Sequence, residues 1–230
     1  MSQESPHSQT LSRGLRMLEL LAESLTPPSI AELAASLGVH RSIAYRILRT
    51  LEDHGLVSRD SGGGVQLAPR MAALARGVSR DLQAAALPAL TAAANDLGMT
   101  AFLAVLDRND VVTLVSVEPT HAHAAVAQRP GSRHLLSQGA PGIAIQSLVS
   151  SAQWRAMGES PRAEVEDVVS SGFATSHDEV IRGLSSVAVP LALPGQPPAA
   201  VAVVYVASAQ APAEIARRLA EAARTIATEL

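Results

Sequence analysis

The sequence contains no cysteine and no lysine, so all 18 of its basic residues are arginine. The absence of cysteine excludes disulfides and thiolate metal sites, and it fits a reducing cytoplasm. Only five residues are aromatic (one Trp, two Tyr and two Phe), so a core must be built from Ala, Val, Leu and Ile. With 47% hydrophobic residues, the chain can still bury a sizeable core.

Signals for membrane insertion and for export are also missing. The longest apolar run, residues 199–207, is far shorter than the roughly 20 residues of a membrane-spanning helix. The first nine residues, MSQESPHSQ, have neither the charged nor the apolar region of a signal peptide. We therefore expect a soluble cytoplasmic protein with no membrane partner.

Motifs of catalysis and of phosphate binding are absent as well. The chain has no GxSxG elbow, no P-loop and no GxGxxG. Ser176, His177 and Asp178 are the residue types of a catalytic triad. They are adjacent in sequence, however, and adjacent side chains do not face one another as the members of a triad must, so we do not interpret them as a catalytic site. His121 and His123 have no third ligand at a suitable spacing, which favours an exposed loop. We predict no enzyme activity, no cofactor and no metal.

Residues 29–54 hold the most informative pattern, SIAELAASLGVHRSIAYRILRTLEDH. Ser29 and Glu32 form a capping box at the start of one short helix, and Gly38 supplies a tight turn after it. A second helix is predicted over residues 41–54, with Gly55 just beyond its end. At 100° per residue this second helix has an apolar stripe and, opposite it, a polar one. The two stripes consist of Ala44, Ile47, Leu48 and Leu51, and of Ser42, Tyr45, Arg46 and Arg49.

The flanking segments complete a winged helix-turn-helix. A helix over residues 11–24 precedes the pattern, with Leu11, Leu15, Leu18, Leu21 and Leu25 as its predicted apolar stripe. Two short β-like runs, residues 56–59 and 65–67, follow it around a glycine-rich tip. Because a helix in the major groove needs one buried face and one polar face, the second helix is predicted to read DNA.

Individual residues are assigned to DNA from their places on this unit. The residues near the start of the second helix are best placed for base edges or phosphates, namely His40, Arg41, Ser42, Tyr45 and Arg46. Arg49 is expected to touch the DNA backbone, and Arg59 a phosphate at the wing. Arg13 either contacts a phosphate or pairs within a dimer. Residues 1–68 hold six arginines and seven acidic residues, so unspecific affinity for DNA should be modest.

The remainder predicts a second domain, which fits a length of 230 residues. Helical composition over residues 70–86 predicts a linker helix, interrupted by Pro88 before a helix over 90–96. Strands are predicted over residues 100–106, 111–117, 124–128, 186–191 and 200–206, and helices after the glycine-rich segment 138–150, over 164–171 and over 212–230. The fold class is α+β, with residues 1–68 as the DNA-binding domain, 69–86 as the linker and 87–230 as a mixed α/β domain.

Several segments together are similar to one known family. The stronger match is LSRGLRMLELL followed by SIAELAASLGVHRSIAYRILRTLEDHGLV; the looser C-terminal match lies in GMTAFLAVLDRNDVVTLVSVE, GSRHLLSQGAPGIA, GFATSHDEVIRGLSSVAVPL and GQPPAAVAVVYV. Read in this order, the whole chain resembles the IclR family of bacterial transcriptional regulators. The resemblance implies a homodimer or a dimer of dimers that binds double-stranded operator DNA. It also implies a small-molecule effector, held in a GAF-like α/β domain for effector binding and oligomerisation.

The effector site is where this chain departs from the family pattern. The family usually has histidine at Ser137, lysine at Ile143, aspartate at Ser176 and cysteine at Ser186. It also has serines at the positions of Ala202 and Val204. Backbone N–H groups of the glycine-rich segment are expected to border the pocket. The predicted effector-binding residues are Ser137, Gly139, Ala140, Ser176, Ser186, Ala202 and Val204.

The replacement of these polar family residues leaves two interpretations of the effector pocket open. Either the effector is less polar than a simple keto acid, or the pocket has lost sensing. We therefore expect a regulator, with repression as the favoured sign, that is controlled by an effector. The alternatives are a DNA-binding protein with a vestigial pocket and, with no catalytic residue to support it, an enzyme built on the α/β domain.

Overall fold

The computed structural model describes residues 8–121 and 126–230. The chain divides into two compact units, one ending at Val78 and the other beginning at Ser79. Of the helices within the two described ranges, none combines the length and the apolar character needed to cross a bilayer.

The first unit is a helix-turn-helix followed by a two-stranded hairpin and a short helix. Its elements are α1 (Gln9–Glu23), α2 (Ile30–Ser36), α3 (Arg41–Asp53), β1 (Val57–Arg59), β2 (Val65–Leu67) and α4 (Arg70–Ala75). Strands β1 and β2 pair in antiparallel register around the glycine-rich tip. The predicted winged helix-turn-helix is confirmed, with boundaries within two residues of those expected.

The apolar face of α1 differs from the predicted leucine stripe. Its buried residues are Gly14, Met17 and Leu21, whereas Leu11 and Leu15 are more than half exposed. Only Leu21 belongs to both sets. Gly14 accounts for part of the difference, because this position faces α3, where a Cβ would lie 3.8 Å from the Ile47 side chain. A stripe drawn through leucines alone misses this contact.

The hairpin is held against the rest of the first unit by its backbone. The Asp60 carboxylate accepts hydrogen bonds from the N–H groups of Gly62 and Gly64, both at 2.8 Å, and this shapes the tip. A Cβ on Gly64 would come within 3 Å of Pro27, so glycine is needed there for close packing. Val65 N–H then donates to the Pro28 carbonyl oxygen at 2.9 Å.

The second unit is a six-stranded antiparallel sheet between helices. Its elements are α5 (Arg80–Leu97), β3 (Thr100–Asp107), β4 (Asp110–Val117), β5 (Arg133–Leu135), α6 (Gly139–Gln146), α7 (Ser151–Met157), α8 (Val165–Ser171), β6 (Ala174–His177), β7 (Ser185–Leu191), β8 (Ala199–Tyr205) and α9 (Pro212–Thr228). The strand order is β5-β4-β3-β8-β7-β6. The predicted α+β fold class is confirmed.

The two faces of this sheet are covered by different helices. Alternate side chains of β3 point to opposite faces: Ala101, Leu103 and Val105 pack with α5 and α9, whereas Phe102 and Ala104 pack with α6 and α8. The cores are built from small and branched aliphatic residues, as the scarcity of aromatic residues predicts. The α6 face also carries the cavity described below.

Helix α5 corrects the predicted interruption at Pro88. The helix runs through Pro88 without a break, and the helical stretch is interrupted instead between α4 and α5, where Ser79 takes a left-handed φ of 43°. A proline inside a helix is unfavourable by about 3 kcal/mol. Burial of Leu82, Ala86 and Leu90 in the core of the second unit outweighs that penalty.

The remaining differences between the predicted and the observed elements lie mainly at the edges of the sheet. Residues 126–128 are not a strand, residues 124–125 lie outside the described residues, and the strand next to β4 is β5. Neither β5 nor β6 was predicted, and α6 lies within the glycine-rich segment 138–150, whereas α7 is the helix expected after that segment. β5 and β6 have three and four residues, too few for a periodic pattern to be seen in sequence.

Candidate functional site

The first candidate site is the exposed side of α3. The helix begins at an N-cap, His40, whose Nδ1 lies 3.3 Å from the N–H and 2.9 Å from the hydroxyl oxygen of Ser42. The turn before it depends on Gly38, which has a φ of 63°. Both hydrogen bonds of the Ser29–Glu32 capping box are present at the start of α2, and the Ser29 N–H, which donates to the Glu32 carboxylate, lowers the pKa of Glu32. The two helices therefore begin where the sequence predicts.

The faces of α3 agree with the predicted stripes. Ala44, Ile47, Leu48 and Leu51 are all buried. His40, Arg41, Ser42, Tyr45, Arg46 and Arg49 are all exposed. Because one side of the helix is anchored in the core, the other side can present its polar groups in a fixed arrangement.

Glu52 organises part of this exposed surface in a way that the sequence did not suggest. Its carboxylate accepts a hydrogen bond from Arg59 Nε at 2.7 Å, which raises the pKa of Arg59, and it lies 3.8 Å from Arg49 Nη1. The Arg59 guanidinium also lies over the Tyr45 ring, 5.6 Å from its centroid. Arg49 and Arg59 are therefore partly neutralised within the protein.

The other arginines of the first site are placed differently. Across residues 8–121 and 126–230, Arg41 and Arg46 form no ion pair, so their charges are available at the surface of α3. Arg13 lies on α1 and is partly buried. The structure supports neither of its two predicted roles over the other.

The second candidate site is a cavity of about 50 Å³ on the α6 face of the sheet. Its walls come from β3, β5, α6, β6, β7 and β8, from Gln128 and from the loop before β7, and their surface is mostly apolar. The lining residues are Phe102, Gln128, His134, Gly139, Pro141, Ser176, Glu179, Val180, Ile181, Leu184, Ser185, Ser186 and Val204. Burial lowers the pKa of His134, which keeps its imidazole neutral near neutral pH.

Four of the seven predicted effector residues lie in this wall: Gly139, Ser176, Ser186 and Val204. Ala140 and Ala202 are fully buried beside the cavity without lining it. Ser137 is exposed, and its carbonyl oxygen accepts a hydrogen bond from Arg162 Nη1 at 3.1 Å. The structure thus brings part of the predicted set together and leaves three residues outside the wall.

Polar groups in this wall are already engaged with the protein. The Ser176 hydroxyl oxygen accepts from Ala140 N–H at 2.8 Å, and the Ser186 hydroxyl donates to the Val203 carbonyl oxygen at 2.8 Å. Glu179 Oε2 accepts from Gly139 N–H, also at 2.8 Å. No local motif indicates Glu179, which lies 40 residues from its amide partner.

The triad-like and metal-like patterns do not form sites among the described residues. His177 contacts the Ser185 hydroxyl at 3.0 Å and Asp178 at 3.3 Å, whereas Ser176 bonds to α6. Within residues 8–121 and 126–230, no cluster of three or more His, Asp or Glu side chains is arranged to bind a metal ion. His121 is exposed, and His123 lies outside the described residues.

Comparisons with known proteins agree with the two-unit architecture. The sequence profile of the IclR helix-turn-helix domain matches residues 10–61. A probable transcriptional regulator, SauR of Cupriavidus necator, is 30% identical over 210 residues, which are 81% of this chain and 82% of that protein. The acetate operon repressor of Salmonella typhimurium is 38% identical over 106 residues, but the match spans only 44% of this chain and 38% of that protein.

Solved structures match over nearly the full chain. The crystal structure of an IclR transcriptional regulator from Alicyclobacillus acidocaldarius has a TM-score of 0.84 and 26% identity, and covers 97% of this chain and 99% of that one. An IclR homolog from Microbacterium hydrocarbonoxydans, crystallised with 4-hydroxybenzoate, has a TM-score of 0.82 at 22% identity and covers 96% and 99%. These relatives are regulators rather than enzymes. The chain belongs to the IclR family of transcriptional regulators.

Proposed function

We propose that this protein binds operator DNA through α3 and that a small molecule bound in the second unit changes its affinity for DNA. The observation that carries the proposal is the exposed side of α3, where Arg41 and Arg46 are free of ion pairs in the described structure. A helix of this kind, anchored by its apolar face, is suited to the major groove of DNA. Repression is the sign of regulation that we favour.

The residues on this surface are given separate roles. Arg46, Ser42 and Tyr45 point from the exposed side of α3 and would reach base edges, while His40 and Arg41 at its start would reach bases or phosphates. Arg49 and Arg59 would contact the DNA backbone, since phosphate groups compete with Glu52 for their guanidinium groups. Arg13 stays a candidate for a phosphate contact or a dimer contact.

The effector would bind at the cavity on the α6 face. Its support is a mostly apolar wall with a few convergent polar groups, which is the usual character of a small-molecule site. The relative crystallised with 4-hydroxybenzoate gives a precedent for a ligand in this family. Ser137, Ala140 and Ala202 would then act from beside the cavity rather than in its wall.

We further propose a homodimer or a dimer of dimers acting in the cytoplasm on a pseudo-palindromic site. Residues 1–68 would bind DNA, residues 69–86 would transmit the signal, and residues 87–230 would bind the effector and oligomerise. Control of this kind requires the ligand to favour one arrangement of the two DNA-binding units over another.

The second candidate function is a DNA-binding regulator whose sensor is vestigial. The specific observation in its favour is the small size of the cavity, together with the carboxylate of the chain itself in its wall.

Selection of bound sequences from random DNA identifies the operator, and fluorescence anisotropy then gives its affinity with and without candidate small molecules. A ligand-dependent change of affinity supports effector control. Specific binding that no ligand changes favours the vestigial sensor, and failure to enrich any sequence contradicts DNA recognition.

A further inference from the structure

The wall of the cavity contains a carboxylate that is bound by the protein itself. Glu179 Oε2 lies 2.8 Å from Gly139 N and 2.6 Å from Arg162 Nη1, and Glu179 Oε1 lies 3.3 Å from Arg162 Nη2. Both side chains are about one quarter exposed. The carboxylate in the wall of the cavity thus accepts three hydrogen bonds.

Arg162 is saturated by groups of the chain. Besides Glu179, its guanidinium bonds to Glu164 and donates to the Ser137 carbonyl oxygen at 3.1 Å. The two carboxylates raise the pKa of Arg162, so its charge persists at all working pH values. Since two negative groups surround one positive group, no positive charge is left over for a ligand.

The first amides of α6 are occupied in the same way. The N-terminal N–H groups of a helix attract anions through their unsatisfied donors and the helix dipole. Here Gly139 N–H donates to Glu179 and Ala140 N–H donates to the Ser176 hydroxyl. An anionic ligand would have to displace Glu179 or lie beside it, where like charges repel.

The cavity itself offers no compensating cation. Of the described residues in its wall, Glu179 alone is charged near neutral pH, because burial lowers the pKa of His134. Its volume of about 50 Å³ is room for roughly three or four water-sized groups. A ligand that fits is therefore small and uncharged.

We propose that Glu179, held by Arg162, determines the ligand class of this cavity by occupying its anion position, so that carboxylates are rejected and a small neutral molecule is accepted. This inference rests on the proposed role of the cavity as the effector site. Ser176 and Ser186 supply hydroxyl oxygens that can still accept a hydrogen bond from a hydroxyl or an amide of such a ligand.

The test uses acetate, which matches the group that Glu179→Ala removes. The melting temperature of the purified full-length chain is measured in sodium acetate, in acetamide and in sodium chloride at equal ionic strength. Glu179→Ala should melt below the wild type and should regain stability with acetate in a saturable manner, but not with acetamide. The wild type should gain no more from acetate than from chloride.

Glu164→Ala is the matched control, because Glu164 bonds to Arg162 but does not contact Gly139 or line the cavity. It should show no acetate-specific gain. Equal gains for acetate in the wild type and Glu179→Ala, or equal gains in the two variants, overturn the proposal.

Glu179→Gln covers the case in which the alanine variant does not fold. This substitution keeps an acceptor for Gly139 N–H and removes the negative charge. Its affinity for acetate, measured by NMR titration, should exceed that of the wild type by about tenfold or more, as expected when a like charge is removed nearby. An unchanged affinity contradicts the proposal. None of these measurements involves DNA, so they fail independently of the proposed regulation.

Discussion

Glu52 lies between two arginines that the sequence assigns to DNA contacts. Its carboxylate bonds to Arg59 at 2.7 Å and lies 3.8 Å from Arg49, while Arg59 also covers the Tyr45 ring. In the absence of DNA these contacts reduce the positive charge on the exposed side of α3. A phosphate that binds Arg59 must therefore replace an existing ion pair.

Glu52→Gln should strengthen binding to unspecific DNA, because it leaves both guanidinium groups less neutralised. We expect a severalfold gain in affinity at low salt, with a steeper dependence on salt concentration. Fluorescence anisotropy with a scrambled duplex measures the change. Glu19→Gln, which loses an arginine partner on α1 instead, is the control and should bind as the wild type does.

Arg46→Ala should weaken binding to the selected operator. A bidentate contact of arginine with a base contributes about 1–3 kcal/mol of discrimination, so the dissociation constant should rise by about fivefold to 150-fold. The same anisotropy assay with the operator reports the loss. Arg16→Ala, also an exposed arginine but on α1, should leave the affinity unchanged. Equal affinity for Arg46→Ala and the wild type would move recognition to other residues of α3.

His134 makes the stability of the second unit depend on pH. Burial lowers the pKa of its imidazole in the folded state, so the unfolded chain binds the proton more tightly. The contribution to stability is complete above the ordinary imidazole pKa and is lost as the pH falls through the lowered folded value. Urea denaturation from about pH 8 to about pH 5 should show this loss. His134→Gln should flatten the profile, whereas His121→Gln, at an exposed position, should not.

At the scale of the element, α6 is the helix on which the cavity depends. Gly142 lets it lie against the preceding loop, since a Cβ there would be 2.4 Å from the Leu136 carbonyl oxygen. That oxygen also accepts a hydrogen bond from Gln146 Nε2 at 2.8 Å, which ties the helix end to the same loop. The close approach keeps Gly139 and Ala140 next to Glu179 and Ser176.

Gly142→Ala should therefore destabilise the second unit by about 1–3 kcal/mol, as overpacking of a core generally does. Thermal and urea denaturation followed by circular dichroism measure the effect. Gly77→Ala is the control, because its Cβ would have no contact closer than 3.9 Å. A melting temperature for Gly142→Ala equal to that of the control would show that the loop yields without strain.

Considered as a whole, the molecule is slightly acidic, with a net charge of −3, so its attraction to DNA depends on a local group of arginines. A dimer that neutralises two or three phosphates per protomer should give a slope of about −4 to −5 when the logarithm of affinity is plotted against the logarithm of salt concentration. Anisotropy titrations between low and moderate salt give this slope. A value near zero would contradict direct recognition of the phosphate backbone.

Local periodicity explains why so much of the first unit could be predicted. The buried set Ala44, Ile47, Leu48 and Leu51 follows from helical spacing alone, and Ser29, Gly38 and Gly55 mark the helix ends through their own backbone and side-chain chemistry. The two features that local periodicity does not predict depend on tertiary contacts. Gly14 packs against a neighbouring helix, and Pro88 stays inside a helix because its neighbours are buried.

The second site was predicted less completely because its contacts are remote in sequence. Glu179 meets an amide 40 residues away and a guanidinium 17 residues away, so no motif contains all three groups. Comparison with the family pattern identified positions such as Ser176 and Ser186, but it described them as losses. It did not indicate that Glu179, which the chain itself provides, fills the position of an anion.

The position of β8 at the centre of the second sheet has a consequence for synthesis on the ribosome. β3 pairs with β8, so Thr100 is opposite Val204, and the C-terminal helix α9 covers the same core. A nascent chain can complete the helix-turn-helix early, but its second unit lacks β8, one of the two central strands of the sheet, until nearly every residue has emerged. The first unit can therefore be folded while the second is still open, and chaperones that shield exposed apolar strands would act during that interval.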